Sequence, residues 1–175
     1  QAIDYLNDHG IGIPVLAEIP EEKPSSCGCS GSQAQSFEND DVEEDGQRQS
    51  HLTQWPIQMH LVSPTAAYYR NSDLLLAADC CAFSYGDFHK DFMKGKSVAI
   101  ACPKLDSNKQ VYLDKLISMI NDANINSITV VIMQVPCCSG LAQMAKQAVE
   151  HANREVPITV IIIGVQGEIL QKAEL

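Results

Sequence analysis

The sequence predicts an α/β fold, a three-layer arrangement around a mostly parallel sheet of about five strands, as in Rossmann and flavodoxin-type domains. Two observations predict it. Short apolar runs of strand length recur along the chain, and the later ones alternate with segments whose apolar residues repeat with helical period. Strands alternating with helices at these lengths form βαβ units, whose strands run parallel.

Each element follows from its residues. Ile57 to Val62 alternates and reads as a short strand. Leu74 to Ala78 is apolar throughout, as a strand covered on both faces must be, and Ser97 to Ala101 repeats the pattern. Phe83 to Lys94 reads as a short helix or an ordered loop. In the segment 111–123, Leu113, Leu116, Ile117 and Ile120 fall on one helical face. Ile128 to Val135 is a β-branched strand. Leu141, Met144, Ala145, Ala148 and Val149 mark a second helix over 140–153, and Ile158 to Val165 is the last strand. The strands are expected to end at Ala78, Ala101, Val135 and Val165.

The chain divides at about residue 50. Residues 1–50 read as an N-terminal tail and a mobile acidic linker, and residues 51–175 as the α/β domain. The stretch 21–50 offers few apolar anchors to offset the entropy of ordering it, and it carries the acidic run Glu38, Asp40, Asp41, Glu43, Glu44 and Asp45. The chain starts with Gln rather than Met and reads as a fragment cut on its N-terminal side. The net charge of −10 argues against nucleic acid or an anionic membrane surface, both of which select clustered Lys and Arg. No apolar run has the length of a membrane span, and the first residues show no signal region.

Seven cysteines are many for this length. Their odd number and the adjacent pairs Cys80-Cys81 and Cys137-Cys138 argue against a disulfide framework and for a reducing, cytoplasmic setting. Cys80, Cys102, Cys137 and Cys138 each stand where a predicted strand gives way to the next segment. A parallel sheet sends those ends to one edge, the edge at which open α/β sheets bind ligands. Ser139-Gly140 opens the second helix, whose N-terminal partial charge favours thiolate at Cys137 and Cys138, and Lys104 adds positive charge beside Cys102. Four thiolates suit an iron–sulfur cluster or a tetrahedral zinc. His89 is a candidate further ligand, as are Cys27 and Cys29 in the linker, and Asp79 could complete the shell. Cys81 is expected to face away from Cys80 as a spectator. His60 reads as a structural histidine in the first strand, and His9, His51 and His151 as surface residues. Gly164 and Gly167 form no phosphate-binding fingerprint.

The motifs Ala77-Ala78-Asp79-Cys80, Asp87-Phe88-His89, Cys102-Pro103-Lys104-Leu105-Asp106, Pro136-Cys137-Cys138-x-Gly140 and Gly164-x-x-Gly167-Glu168 resemble the C-terminal domain of ferredoxin-like iron–sulfur proteins of anaerobic bacteria. The resemblance covers about residues 51–170. It implies a [4Fe-4S] cluster, electron transport, and a ferredoxin-like module or other redox protein as partner. Those proteins carry a two-cluster ferredoxin module ahead of this domain, and this chain has none. The expected function is therefore a cluster-binding electron-transfer domain. The alternatives are a metal- or Cys/His-dependent enzyme acting on a small molecule, or a zinc-binding structural domain. A homo-oligomer is compatible with all three.

Overall fold

The computed structural model describes residues 49–175 and, ahead of them, the pair Gln35–Ser36. The expected tail and linker, with Cys27 and Cys29, otherwise lie outside the described residues.

The described residues form the strands β1 (Gln35–Ser36), β2 (Gln54–Trp55), β3 (Asp73–Ala78), β4 (Ser97–Ala101), β5 (Ser127–Met133), β6 (Ile158–Ile163) and β7 (Ile169–Glu174). The helices are α1 (Cys81–Ser84), α2 (Lys109–Asn121) and α3 (Ser139–His151). β1 and β2 form a small antiparallel ladder, and the other five strands form one sheet in the order β4-β3-β5-β6-β7. β3 pairs in parallel with both β4 and β5, and β5 with β6; β7 alone runs antiparallel, against β6. The mostly parallel α/β sheet predicted from sequence is the one observed.

The strand order dictates the layers. The chain moves one way from β3 to β4, then reverses to pass β3 and reach β5 and β6. Right-handed crossovers put the β3–β4 connection on one face and α2 and α3 on the other. The two helices pack against each other, and α3 lies against β5 and β6. Tyr112, Leu116, Met119 and Ile120 form the buried stripe of α2, and Leu141, Met144, Ala145 and Ala148 that of α3. β3 is covered on both sides, Leu74, Leu75 and Leu76 being wholly buried.

Two expectations are corrected. Ile57 to Val62 is not a strand. The N–H groups of Leu61 and Val62 both donate to the Gln58 carbonyl, at 2.8 and 3.0 Å, which closes a turn where the alternating pattern suggested extension. Its place as fifth strand is taken by β7, whose exposed residues carry no burial pattern. The helices and strands otherwise agree with the expected spans to within about two residues. The segment Phe83 to Lys94 resolves into the end of α1 and a π-helical turn, His89–Met93.

The outer edge of β4 is closed by the chain ahead of β3. Ile57 accepts from Ile100 N–H at 2.8 Å, and Met59 N–H donates to Ile100 O at 2.9 Å. Ahead of them, the fully buried Gln54 uses its side chain as a strand substitute. Its Oε1 accepts from Val98 N–H at 3.0 Å and its Nε2 donates to Val98 O at 2.9 Å. The Tyr69 hydroxyl also donates to Val98 O, at 3.0 Å. Gln54→Ala should therefore lower unfolding free energy by about 1–3 kcal/mol, because it strands the buried Val98 N–H. Tyr69→Phe should cost less, since Val98 O keeps Gln54. Urea denaturation of the two variants checks both the size and the order.

Candidate functional site

The parallel register fixes the site. Ala78 aligns with Ala101 on β4, and Ala77 with Val131 on β5. The residues that follow these strands therefore emerge side by side at the C-terminal edge. The segment leaving β3 goes to one face of the sheet and the segment leaving β5 goes to the other. The crevice between those strand ends is the topological switch point, the usual ligand site of open α/β sheets.

Cys80 and Cys81 lie on the first of these segments. Cys80 takes a right-handed helical conformation (φ −78°, ψ −18°) as the cap of α1, and its thiol is exposed. Cys81 turns into the core, where its thiol donates to Val131 O at 3.4 Å. It faces away from Cys80 as expected, but because a helical turn begins there, not because the backbone is extended. Burial, reinforced by the nearby Cys138 and Cys80, pushes its pKa up to about 12.

Cys137 and Cys138 lie on the second segment, in a 3₁₀ turn (Pro136–Cys138) that runs directly into α3. That turn supplies the bend an adjacent pair needs: Cys137 is exposed and Cys138 is buried beneath it. The helix-start argument for thiolate fails at Cys138. Burial, with Cys137 and Cys80 close by, raises its pKa instead. Cys80, Cys137 and Cys138 are thus near enough to interact electrostatically.

Cys102 is half-buried at the end of β4. The loop that carries it reaches the start of α3, because a Cβ added at Gly140 would meet Pro103 Cβ at 3.4 Å. Cys102 Sγ accepts from Leu105 N–H at 3.4 Å, and Asp106 Oδ2 accepts from Cys102 N–H at 2.8 Å and from the Tyr112 hydroxyl at 2.8 Å. Asp79 completes the acidic side of the crevice. Its Oδ1 is buried without a hydrogen-bond partner among the described residues, and its pKa is raised by burial and by Asp106. Around the rim, Phe83, Leu105 and Val165 are 94%, 83% and 61% exposed. Among the described residues no three of His, Cys, Asp and Glu gather closely enough to hold a metal ion. The thiols surround the crevice without forming a closed shell.

A switch-point crevice on a mostly parallel sheet is a Rossmann feature, and the Rossmann-like domain family matches residues 66–175. The chain belongs to the Rossmann-like domain family. A protein of Archaeoglobus fulgidus, described only as uncharacterized, is 29% identical over 118 residues, which cover 67% of this chain and 82% of that protein. No solved structure matches the chain.

His89, His60, Lys104 and two glycines complete the candidates of this Rossmann-like domain. His89 opens the π-helical turn, and its Nδ1 accepts from His51 N–H at 3.2 Å; burial and His51 lower its pKa. His60 lies in the turn after Gln58, not in a strand, and its ring meets Tyr112 edge-on at 4.7 Å. Lys104 is exposed. Gly164 and Gly167 make the β6–β7 turn, with Gly167 N–H donating to Gly164 O at 3.0 Å. Gly167 has φ +92°, and a Cβ there would collide with Ser84 O of α1, so the turn demands glycine on both grounds. Asp106 and Tyr112 were missed by the sequence reading. The run Cys102-Pro-Lys-Leu-Asp106 was the available signal, since a carboxylate four residues on can fold back onto the cysteine's N–H.

Two predictions follow from these environments. In the reduced, folded chain, iodoacetamide at about pH 8 should modify Cys80 and Cys137 well before Cys81, whose thiol stays protonated and covered; peptide mass spectrometry reads the order. Asp79 titrates higher in the folded state than in the unfolded chain, where Asp lies near ~3.9. Its carboxyl therefore costs stability once pH rises through the folded value, and costs none below the unfolded one. Asp79→Asn should raise the denaturation midpoint at neutral pH and leave it unchanged near ~pH 3. A shift of the same size at both would contradict the assignment.

Proposed function

We propose that the crevice holds a thiolate-bound centre, an iron–sulfur cluster of the [4Fe-4S] type, and that the domain exchanges electrons with a ferredoxin-like module or another redox protein. One observation carries this reading. Cys138 lies near both its neighbour Cys137 and, from the other strand end, Cys80, with Cys102 at the next strand end. The donor chemistry fits, because four thiolates are a usual ligand set for such a cluster. Cys80, Cys102, Cys137 and Cys138 would hold it, while Cys81, bonded to Val131, would stay out. The exposed Cys80 and Cys137 can turn toward the crevice, and coordination would deprotonate the buried Cys138. When bound, the cluster supplies one-electron transfer. The odd number of cysteines and their two adjacent pairs support a reducing, cytoplasmic location. The exposed Phe83, Leu105 and Val165 offer an apolar rim for a redox partner.

A second reading is an enzyme acting on a small molecule in the same crevice. Asp79, whose Oδ1 has no partner among the described residues, favours it together with Asp106 and Tyr112, as a set of proton-carrying groups next to thiols. A zinc-binding structural domain would use the same cysteines.

Anaerobic purification, metal and sulfide analysis, and electron paramagnetic resonance separate these. Iron with acid-labile sulfide in equal amounts is the expected result, and zinc without sulfide selects the structural reading. Cys102→Ser should reduce iron to background, whereas Cys81→Ser should leave it nearly unchanged. Equal iron in wild type and the Cys102 variant would sink the proposal.

A further inference from the structure

β7 ends the sheet, and no described strand pairs with its outer side. The hydrogen-bond pattern tells which of its backbone groups point outward. On β6, the carbonyls of Pro157 and Ile163 accept from β5-side residues, Ile128 at 2.9 Å and Gln134 at 2.8 Å, so odd-numbered residues face β5. Even-numbered ones face β7, and Leu175 N–H accordingly donates to Ile158 O at 3.0 Å. Leu175, Ala173 and Gln171 therefore turn their backbone groups inward, and Lys172 and Glu174 present theirs to the outside. Every residue of the strand except the half-buried Ala173 is exposed. The opposite edge differs: β4 is closed by Gln54, Ile57 and Met59.

An open edge of this kind is a template for another strand, and the charges on β7 select which. We infer that two copies of the chain join β7 to β7 in antiparallel fashion, about a two-fold axis through Ala173, with Lys172 of each copy opposite Glu174 of the other. Outward-facing residues must pair with outward-facing residues, so register shifts of one residue leave N–H and C=O groups unmatched. Shifts of two residues keep the hydrogen bonds but set Lys172 against Lys172, or Glu174 against Glu174, at the axis. Like charges directly opposite oppose pairing. The Ala173-centred register alone converts both charged residues into two symmetric cross-strand pairs. It also puts the small Ala173 side chains against each other at the closest approach of the two strands. The interface is isologous and closes on itself, so it yields a dimer and not a fibre.

The test is sedimentation of the full chain, reduced and anaerobic, with three variants at these exposed positions. Wild type should be a dimer. Lys172→Glu and Glu174→Lys should each weaken it about tenfold or more, because each creates two like-charge pairs. The double variant, Lys172→Glu with Glu174→Lys, should restore wild-type association. Overall charge cannot produce this pattern. Lys172→Glu makes an already acidic chain more negative and Glu174→Lys makes it less so, and their effects through net charge would be opposite in sign. A monomeric wild type overturns the inference. So does a dimer that neither single variant weakens, or a double variant that remains dissociated.

Discussion

Everything at the candidate site depends on one constraint, the parallel pairing of β3 with both of its neighbours. Ala78 aligns with Ala101, and Ala77 with Val131, so three strands finish within about one residue's rise, ~3.3 Å, of a common line. Cys80, Cys102 and the Cys137-Cys138 pair are distant in sequence and become neighbours only through that register. Reversing either pairing would send one of them to the far end of the sheet. The same pairing makes β3 the centre of the core. A strand flanked on both edges and covered on both faces must be apolar throughout, and Leu74, Leu75 and Leu76 satisfy this with no exposure at all.

What the sequence disclosed, and what it hid, follows from the strength of each physical signal. Buried parallel strands announce themselves as unbroken apolar runs, so β3, β4, β5 and β6 were legible, as were the helices with one apolar stripe. β7 was not, because an exposed edge strand has no pattern to impose: Gln171, Lys172 and Glu174 are all in water. Ile57, Met59 and Leu61 alternate as a strand should, yet the Gln58 carbonyl collects two N–H groups and turns the chain. Local hydrogen bonding overrode the period there. The positions of the thiols were legible for the same reason as the strands, since each follows a run directly. Their chemical state was not, because it depends on depth. The start of α3 argues for thiolate at Cys138, but the 3₁₀ turn buries that residue and burial wins.

Two classes of thiol result. Cys80 and Cys137 are open to solvent, while Cys81 and Cys138 lie under the loops that carry them. Cys81 has its own carbonyl partner on β5 and behaves as a core residue with a weak donor. Cys138 differs: it has the thiols of Cys137 and Cys80 as neighbours, and burial together with those thiols raises its pKa.

The acidic side of the crevice sharpens this point. Asp106 is already committed, accepting from Cys102 N–H and from Tyr112. Asp79 lies close enough to feel it, and its buried Oδ1 has no partner among the described residues. Thiols that resist ionisation and a carboxyl that resists it for the same reason share one edge of the sheet. Among the described residues Lys115 is committed to the carbonyls of Met59 and His60, and Lys104 is exposed. A cation brought to the crevice would lower the cost of ionising these groups, because it supplies the opposite charge. An anionic ligand would add to that cost.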